Sequence, residues 1–118
     1  MSDDAPDPAD ADPAPVPADA ERTPDSEILD DLFAVIESRK AELPEDSYTA
    51  SLFTHEKGDN AVLEKLGEET TELVLAAKDD DTEEIAHEAA DIVYHMLVLL
   101  SMKGMDLEDL RRELRERY

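Results

Sequence analysis

Apolar residues recur at intervals of three and four positions along four segments, a spacing that places them on one face of an α-helix. The first segment begins after Ser26, a residue type that caps helices, and ends at Pro44. The second runs from about residue 61 to 78, the third from about 83 to 103, and the last begins at Asp106. We assign to the interior Ile28, Leu29, Leu32, Val35 and Ile36 of the first helix, Val62, Leu66, Leu73 and Ala77 of the second, and Leu107, Leu110 and Leu114 of the last.

The connections between these helices carry residues that stop or cap helices. Gly58 to Asn60 form a predicted turn that can cap the second helix, and the run from Asp79 to Thr82 is expected to connect to the third helix and cap it. Gly104 ends the third helix. Residues 47–53 form a short segment whose pattern is ambiguous, so the bundle has four or five helices.

The third helix is apolar on nearly every side between Ala89 and Leu100, as expected for the central helix of a bundle or for a helix that contacts a second subunit. Asp91 and His95 interrupt it, so it lacks the ~18 consecutive apolar residues that span a bilayer. We therefore expect no membrane partner. Because so small a domain gains buried surface by association, we predict an all-α bundle whose core is completed by homodimerisation.

Residues 1–25 differ from the rest of the chain in composition. They contain six of the seven prolines, several aspartates and no Ile, Leu or aromatic residue. Such a segment cannot bury enough apolar surface to offset its ordering entropy, so we predict a disordered acidic Pro/Ala-rich tail at 1–25 and one domain at 26–118. The tail has neither the basic nor the apolar region of a secretory signal, and we expect a cytoplasmic location.

The charge and the cysteine content of the chain exclude several classes of site and partner. Its 118 residues include 33 Asp and Glu against 11 Lys and Arg, a net charge of −22, and no Cys. The absence of Cys excludes disulfides, thiolate metal sites and cysteine nucleophiles. A nucleic-acid partner is not expected, because neutralising phosphates requires a basic patch. We interpret the acidity as halophilic, an adaptation to concentrated salt rather than to a basic partner.

Two carboxylates interrupt the apolar face of the second helix. At about 100° per residue, Glu69 falls in the middle of the stripe formed by Val62, Leu66 and Leu73, and Glu72 lies at its edge. Burying an ionised carboxylate is unfavourable unless a cation or a charged partner compensates it. A charge on an apolar face therefore calls for a specific explanation.

The third helix carries a second polar stripe, formed by Glu88, Asp91 and His95, in the most apolar part of the chain. The two helices together direct four carboxylates inward, and Glu68 adds a fifth beside them. Such an oxygen-rich site suits Mg²⁺ or Mn²⁺, with satisfied ion pairs or solvent exposure as the alternatives. His95 fits a hydrogen-bonded core residue better than a ligand. No glycine has a phosphate-binding spacing, so phosphate chemistry would rely on metals and basic side chains.

Three motifs together resemble the phosphoribosyl-ATP pyrophosphatase family of the MazG-like all-α nucleotide pyrophosphohydrolases, over about residues 27–117. They are Ser47-Tyr48-Thr49, Lys65-Leu66-Gly67-Glu68-Glu69-x-x-Glu72 and Glu88-x-x-Asp91-x-x-Tyr94-His95-x-x-Val98-Leu99-Leu100. The resemblance implies hydrolysis of 1-(5-phosphoribosyl)-ATP to the AMP form and pyrophosphate, the second step of histidine biosynthesis. It also implies a homodimer or higher assembly and Mg²⁺ held by Glu69, Glu72, Glu88 and Asp91.

This chemistry assigns roles to the residues of the motifs. Water attacks phosphorus while charge grows on the departing group, and divalent ions both activate the water and neutralise that charge. We expect Glu68 or Glu69 to orient the water. Candidates for phosphate contacts are Arg39, Lys57 and Lys65, and candidates for contacting the ribose phosphate or shaping the pocket are Ser47, Tyr48 and Thr49. The alternative interpretations are a helix-end Arg, solvated lysines and an ordinary turn.

Two other functions stay open at this point. The first is a house-cleaning nucleoside triphosphate pyrophosphohydrolase of the same superfamily, against which the Ser47-Tyr48-Thr49 segment argues because it matches the more specific branch. The second is a non-enzymatic helical interaction module with a structural divalent cation. A test of pyrophosphate release on several nucleotides separates the three.

Overall fold

A computed structural model describes residues 27–118 of the chain, and within this range the fold is entirely helical, without a strand. The five helices are α1 (Ile28–Glu42), α2 (Tyr48–Phe53), α3 (Asn60–Lys78), α4 (Thr82–Met102) and α5 (Leu107–Arg117). The all-α prediction is confirmed. The predicted tail and Ser26 lie outside the described residues, so the boundary between tail and domain stays a prediction.

Helix α1 is capped at both ends by local hydrogen bonds. At its start the Glu27 carboxylate accepts a hydrogen bond from the Leu29 backbone N–H at 3.3 Å, so Glu27 is the N-cap. At its end Leu43 adopts a left-handed φ of 51°, and its N–H donates to the Arg39 carbonyl at 2.8 Å. Pro44 follows and cannot continue the helix, as predicted.

The starts of α3 and α4 lie one residue earlier than predicted. Within the run that was predicted to cap α4, the cap is Asp81, whose carboxylate accepts from the Glu84 N–H at 3.1 Å. Asp59 precedes α3 in the predicted turn but makes no side-chain cap. Its carboxylate instead accepts from the Lys103 ammonium at 2.7 Å, which ties the start of α3 to the end of α4.

The segment that the pattern left unassigned forms the short helix α2. Ser47 is its N-cap, and its hydroxyl oxygen accepts from the Ala50 N–H at 3.1 Å. Thr49, Ala50 and Leu52 are buried, so one side of α2 faces the core. A helix of six residues is too short to show a repeating apolar face in the sequence. The buried side of α2 is therefore evident only from its packing.

Helix α4 lies at the centre of the core. It packs most extensively along α3 and also contacts α1. The central apolar cluster consists of Ile36, Leu52, Val62, Tyr94, Leu97, Val98 and Leu107, three of which come from α4. The prediction of a buried central helix is confirmed, and α3 is its main partner.

Three positions assigned to the interior are exposed. Ile28 is 56% exposed in the first turn of α1, and Leu114 is 48% exposed because burial along α5 decreases away from Leu107. Ala77 is also exposed, and its neighbour Ala76 is buried instead. The buried seam of α3 recurs every seven residues, through Val62, Glu69 and Ala76, as is typical of two helices packed lengthwise.

By length and mean hydropathy alone, α4 could cross a membrane, and within residues 27–118 it is the one such helix. Its packing gives another reason for this composition. Leu97 and Val98 have no exposed surface, and the buried Glu88 and His95 interrupt the apolar residues around them. This agrees with the prediction of a core helix.

Removal of residues 1–24 is expected to leave both turnover and the thermal midpoint nearly unchanged. The removed segment lacks apolar anchors, and the cap of α1 at Glu27 is retained. Thermal unfolding of the full chain and of the shortened chain in the same buffer checks this. A midpoint lower by more than a few degrees would show that the tail docks on the domain.

Candidate metal and active site

The facing sides of α3 and α4 carry the two predicted acidic stripes. Glu69 on α3 is 5% exposed and Glu88 on α4 is 4% exposed, while Glu72 and Asp91 are half-buried. The prediction that these carboxylates lie on apolar faces is therefore confirmed. Glu68 lies toward solvent, with 47% of its side chain exposed.

Glu88 sits among other carboxyl groups. Burial, followed by hydrogen bonds to the Glu84 and Glu72 side chains and by repulsion from both, raises the pKa of Glu88 from 4.5 to about 8. Its Oε1 is buried and has no hydrogen-bond partner. A buried polar atom without a partner is rare in native folds and points to a missing ion, ligand or water.

Glu84 is a member of this group that the sequence analysis did not identify. It precedes Glu88 by one helical turn, and its side chain hydrogen-bonds the Glu88 carboxyl. The i, i+4 spacing was available in the sequence as a signal. The pattern did not single out Glu84, because Glu84 lies in the acidic first turn of α4, where the helix dipole alone favours carboxylates.

Glu69 is held by a histidine. Its Oε1 lies 2.9 Å from Nδ1 of His95, which has no exposed surface, and His95 Nε2 lies 3.2 Å from the Tyr48 hydroxyl. Both ring nitrogens are thus engaged within the protein. The interpretation of His95 as a hydrogen-bonded core residue is confirmed.

These carboxylates fit a divalent cation by their chemistry. Carboxylate oxygens are the donors that Mg²⁺ and Mn²⁺ prefer, and the unpartnered Oε1 of Glu88 lies among them. In the described part of the chain, no three acidic or histidine side chains converge closely enough to surround an ion. The ligand set Glu69, Glu72, Glu88 and Asp91 therefore stays a prediction about the loaded protein.

The basic side chains predicted to contact phosphates occupy different surroundings. Lys65 lies on α3 with only 16% of its side chain exposed, and its ammonium is 3.9 Å from Glu68 Oε1. Lys57 lies in the exposed loop before α3 and pairs with Glu64 at 3.1 Å. Arg39 is half-buried near the end of α1. Of the three, Lys65 is placed next to the acidic motif.

The Ser47-Tyr48-Thr49 segment directs polar groups into the fold. The Ser47 hydroxyl caps α2, the Tyr48 hydroxyl meets His95, and the Thr49 hydroxyl bonds that of Tyr94. Ser47 and Thr49 are buried, and Tyr48 is half-buried. These contacts agree with a role in shaping the pocket, and contact with a ribose phosphate stays a prediction.

The raised pKa of Glu88 predicts a pH dependence of metal-free stability. Its pKa in the folded state lies above the ordinary value of 4.5, so its contribution is fully present below that value and is lost as pH rises through about 8. The Glu88→Gln variant lacks this group. Unfolding in the presence of a chelator should therefore show wild type losing stability relative to Glu88→Gln as pH rises from 4.5 to about 8. A constant difference would contradict the buried, proton-retaining carboxyl.

A family model described as phosphoribosyl-ATP pyrophosphohydrolase matches residues 29–118, which is most of the chain and all five helices but the first residue of α1. The chain belongs to the phosphoribosyl-ATP pyrophosphohydrolase family. The resemblance read from the three motifs is thereby confirmed.

Similar curated proteins carry the name phosphoribosyl-ATP pyrophosphatase. One from Haloarcula marismortui is 81% identical over 91 residues, which cover 77% of this chain and 93% of that protein. One from Halobacterium salinarum is 61% identical over 93 residues, covering 78% and 98%. One from Clostridium acetobutylicum is 50% identical over 92 residues, covering 78% and 82%. The occurrence of family members in halophiles agrees with the interpretation of the acidic composition as an adaptation to concentrated salt.

Proposed function

We propose that this chain hydrolyses 1-(5-phosphoribosyl)-ATP to 1-(5-phosphoribosyl)-AMP and pyrophosphate, the second step of histidine biosynthesis, in the cytoplasm. The observation that carries the proposal is a relative named phosphoribosyl-ATP pyrophosphatase, 81% identical over 93% of its own length. The buried acidic faces of α3 and α4 supply a physical reason for this chemistry. A pyrophosphohydrolase without a glycine-rich phosphate loop needs cations to neutralise its substrate.

In this proposal Glu69, Glu72, Glu88 and Asp91 would hold Mg²⁺ or Mn²⁺. The cation supplies a lowered pKa for water and neutralises charge on the departing pyrophosphate. The Glu88 carboxyl has to lose its proton for this, and the cation's charge favours that loss. A site whose carboxylates repel one another in the absence of metal is suited to bind a cation.

Side chains of the protein accept the proton, fix the geometry of the site and contact the substrate phosphate. Water attacks phosphorus, the α–β phosphoanhydride bond breaks, and the proton of the water passes to a carboxylate. Glu68 is suited to take this proton because it is partly exposed and can release it to solvent. Glu69 is hydrogen-bonded to His95 and is better suited to a fixed position. Lys65 lies within reach of Glu68 and is the best-placed cationic side chain for a substrate phosphate.

We also infer a homo-oligomer, with a dimer as the simplest form. Leu63, Val74 and Leu75 of α3 are each about half exposed, and the first two lie on one side of the helix. A second copy would bury these side chains and add to a small core. Light scattering in molar KCl is expected to give at least twice the mass of one chain, 13.1 kDa. The monomer mass would contradict this inference.

Pyrophosphate release with Mg²⁺ on three substrates tests the function. We expect phosphoribosyl-ATP to be hydrolysed with a far higher kcat/KM than ATP or dCTP. Preference for ATP or dCTP would instead indicate a house-cleaning nucleoside triphosphate pyrophosphohydrolase. No release from any of the three, in protein that still binds Mg²⁺, would indicate an interaction module with a structural cation.

A further inference from the structure

A chain of hydrogen bonds runs from α2 through α4 to α3. It begins at the Tyr48 hydroxyl, which lies 3.2 Å from His95 Nε2, and ends where His95 Nδ1 lies 2.9 Å from Glu69 Oε1. Nδ1 also lies 3.2 Å from the backbone carbonyl oxygen of Asp91. His95 is completely buried, so its ring is not in contact with solvent.

The partners determine which ring nitrogen of His95 carries the proton. Both atoms near Nδ1 are oxygens that accept hydrogen bonds, a carboxylate of Glu69 and the carbonyl of Asp91, so Nδ1 must be the donor. Nε2 is then free to accept from the Tyr48 hydroxyl. Tyr48 keeps its proton, because burial and the nearby charges of Glu69, Asp91 and Glu68 raise its pKa to about 12.

We propose that Tyr48 and His95 are positioning residues that fix the Glu69 carboxylate through this hydrogen-bond chain, with Tyr48 holding the His95 ring in place by donating to Nε2. The proposal rests on the proposed function, in which Glu69 binds the catalytic cation. With Oε1 held by His95, the second oxygen of Glu69 is presented in a constant position. A histidine that holds a metal-binding carboxylate in this way reduces the rearrangement needed when the cation arrives.

This role differs from the substrate contact that the sequence suggested for Tyr48. A hydroxyl that meets a fully buried histidine acts inside the fold. The two roles predict different kinetic effects. Loss of a substrate contact raises KM, whereas loss of a fixed Glu69 lowers kcat and raises the Mg²⁺ concentration required.

The protonated nitrogen of His95 can be measured without activity or metal. Long-range ¹⁵N–¹H correlation spectra of the metal-free full chain distinguish Nδ1–H from Nε2–H, and the signals of His95 among the three histidines are assigned by their loss in His95→Gln. We expect a single form with the proton on Nδ1. In Tyr48→Phe we expect the proton to stay on Nδ1 and the ¹⁵N shift of Nε2 to change, because Nε2 loses the hydroxyl that donates to it. A proton on Nε2 in the wild type would overturn the proposal.

Kinetics of Tyr48→Phe test the consequence. We expect kcat to fall by about 10- to 100-fold and the half-saturating Mg²⁺ concentration to rise, with the KM for phosphoribosyl-ATP nearly unchanged. Tyr94→Phe is the matched control, because it also removes a buried tyrosine hydroxyl, one that bonds Thr49 instead of His95. Its half-saturating Mg²⁺ concentration should stay near that of wild type, because the hydrogen bond that it removes is the one with Thr49. A raised KM with normal kcat in Tyr48→Phe would overturn the proposal.

Two substitutions of His95 separate its two hydrogen bonds. The amide nitrogen of Asn can take the place of Nδ1 and donate to Glu69, whereas the amide of Gln extends toward the position of Nε2. We therefore expect His95→Asn to retain more kcat than His95→Gln, provided that both have similar thermal midpoints. If the midpoints differ, Tyr48→Phe and the nitrogen spectra decide. Equal losses in two equally stable variants would contradict the proposal.

Failure of this proposal is distinguishable from failure of the proposed function. If Glu69→Gln keeps normal turnover, Glu69 does not bind the catalytic cation, and the proposed mechanism fails together with the positioning role. If Glu69→Gln is inactive and Tyr48→Phe has normal kcat and a normal Mg²⁺ requirement, the metal site stands and the positioning role alone is wrong.

Discussion

Glu69→Gln is expected to lower turnover by at least about 100-fold, the scale of losing one electrostatic element of a transition state. The substitution removes one charge with little change of shape. The amide oxygen of Gln can still accept the hydrogen bond from His95 Nδ1, so the packing between α3 and α4 should be retained. Metal-free stability should therefore be equal or higher, while the stability gained from Mg²⁺ shrinks because binding has weakened. Pyrophosphate release under saturating substrate measures the loss.

Glu64→Gln is the matched control on the same helix. Glu64 points to solvent as predicted, with 56% of its side chain exposed, and its contact is an exposed ion pair with Lys57. Such a pair contributes at most about 1 kcal/mol. Turnover and the Mg²⁺ effect should both stay near wild type. Near-normal turnover in Glu69→Gln would remove the main physical support for a site between the acidic stripes.

A rise in melting temperature is expected as KCl increases from tenths molar to molar. The chain carries a net charge of −22, and the resulting self-repulsion destabilises the compact state in dilute buffer. The Debye length falls from about 10 Å at 0.1 M to about 3 Å at 1 M, so salt screens this repulsion. Thermal unfolding across the salt series measures the effect.

Exposed ion pairs act in the opposite direction, because salt weakens them as well. Lys57–Glu64 and Lys103–Asp59 are exposed examples, but acidic residues outnumber basic ones by 33 to 11. Repulsion should therefore dominate. Replacing both Asp79 and Asp80, exposed residues after α3, by Asn should raise the midpoint at low salt and make the salt dependence shallower. A flat or falling midpoint of the wild type would show that the acidity is not an adaptation to salt.

Much of the helical fold could be predicted because apolar spacing is local information. The predicted starts and ends of α3 and α4 lie within one residue of the observed ones. Which alanine of α3 is buried depends on how the helix is rotated against α4. The wheel alone could not choose Ala76 over Ala77, whereas the packing seam does.

The site was predictable to the extent that it breaks the apolar pattern. Glu69 and Glu88 stand out because a carboxylate on a buried face is unfavourable by itself. Contacts between helices follow no sequence spacing, so the link from Glu69 through His95 to Tyr48 required the fold. The unpartnered oxygen of Glu88 also appears only once α3 and α4 are packed together.

The stability that Mg²⁺ adds to Glu88→Gln tests the central claim most directly, namely that the acidic faces of α3 and α4 form a divalent-cation site. Glu88 is the buried acid with an unpartnered oxygen, and Glu83 is an exposed acid on the same helix that serves as control. Melting temperatures are measured with chelator and with Mg²⁺ for the wild type and for both Gln variants. We predict a clear Mg²⁺ gain for the wild type and Glu83→Gln, and little or none for Glu88→Gln, whose metal-free midpoint should equal or exceed that of wild type. A full Mg²⁺ gain in Glu88→Gln would contradict the claim.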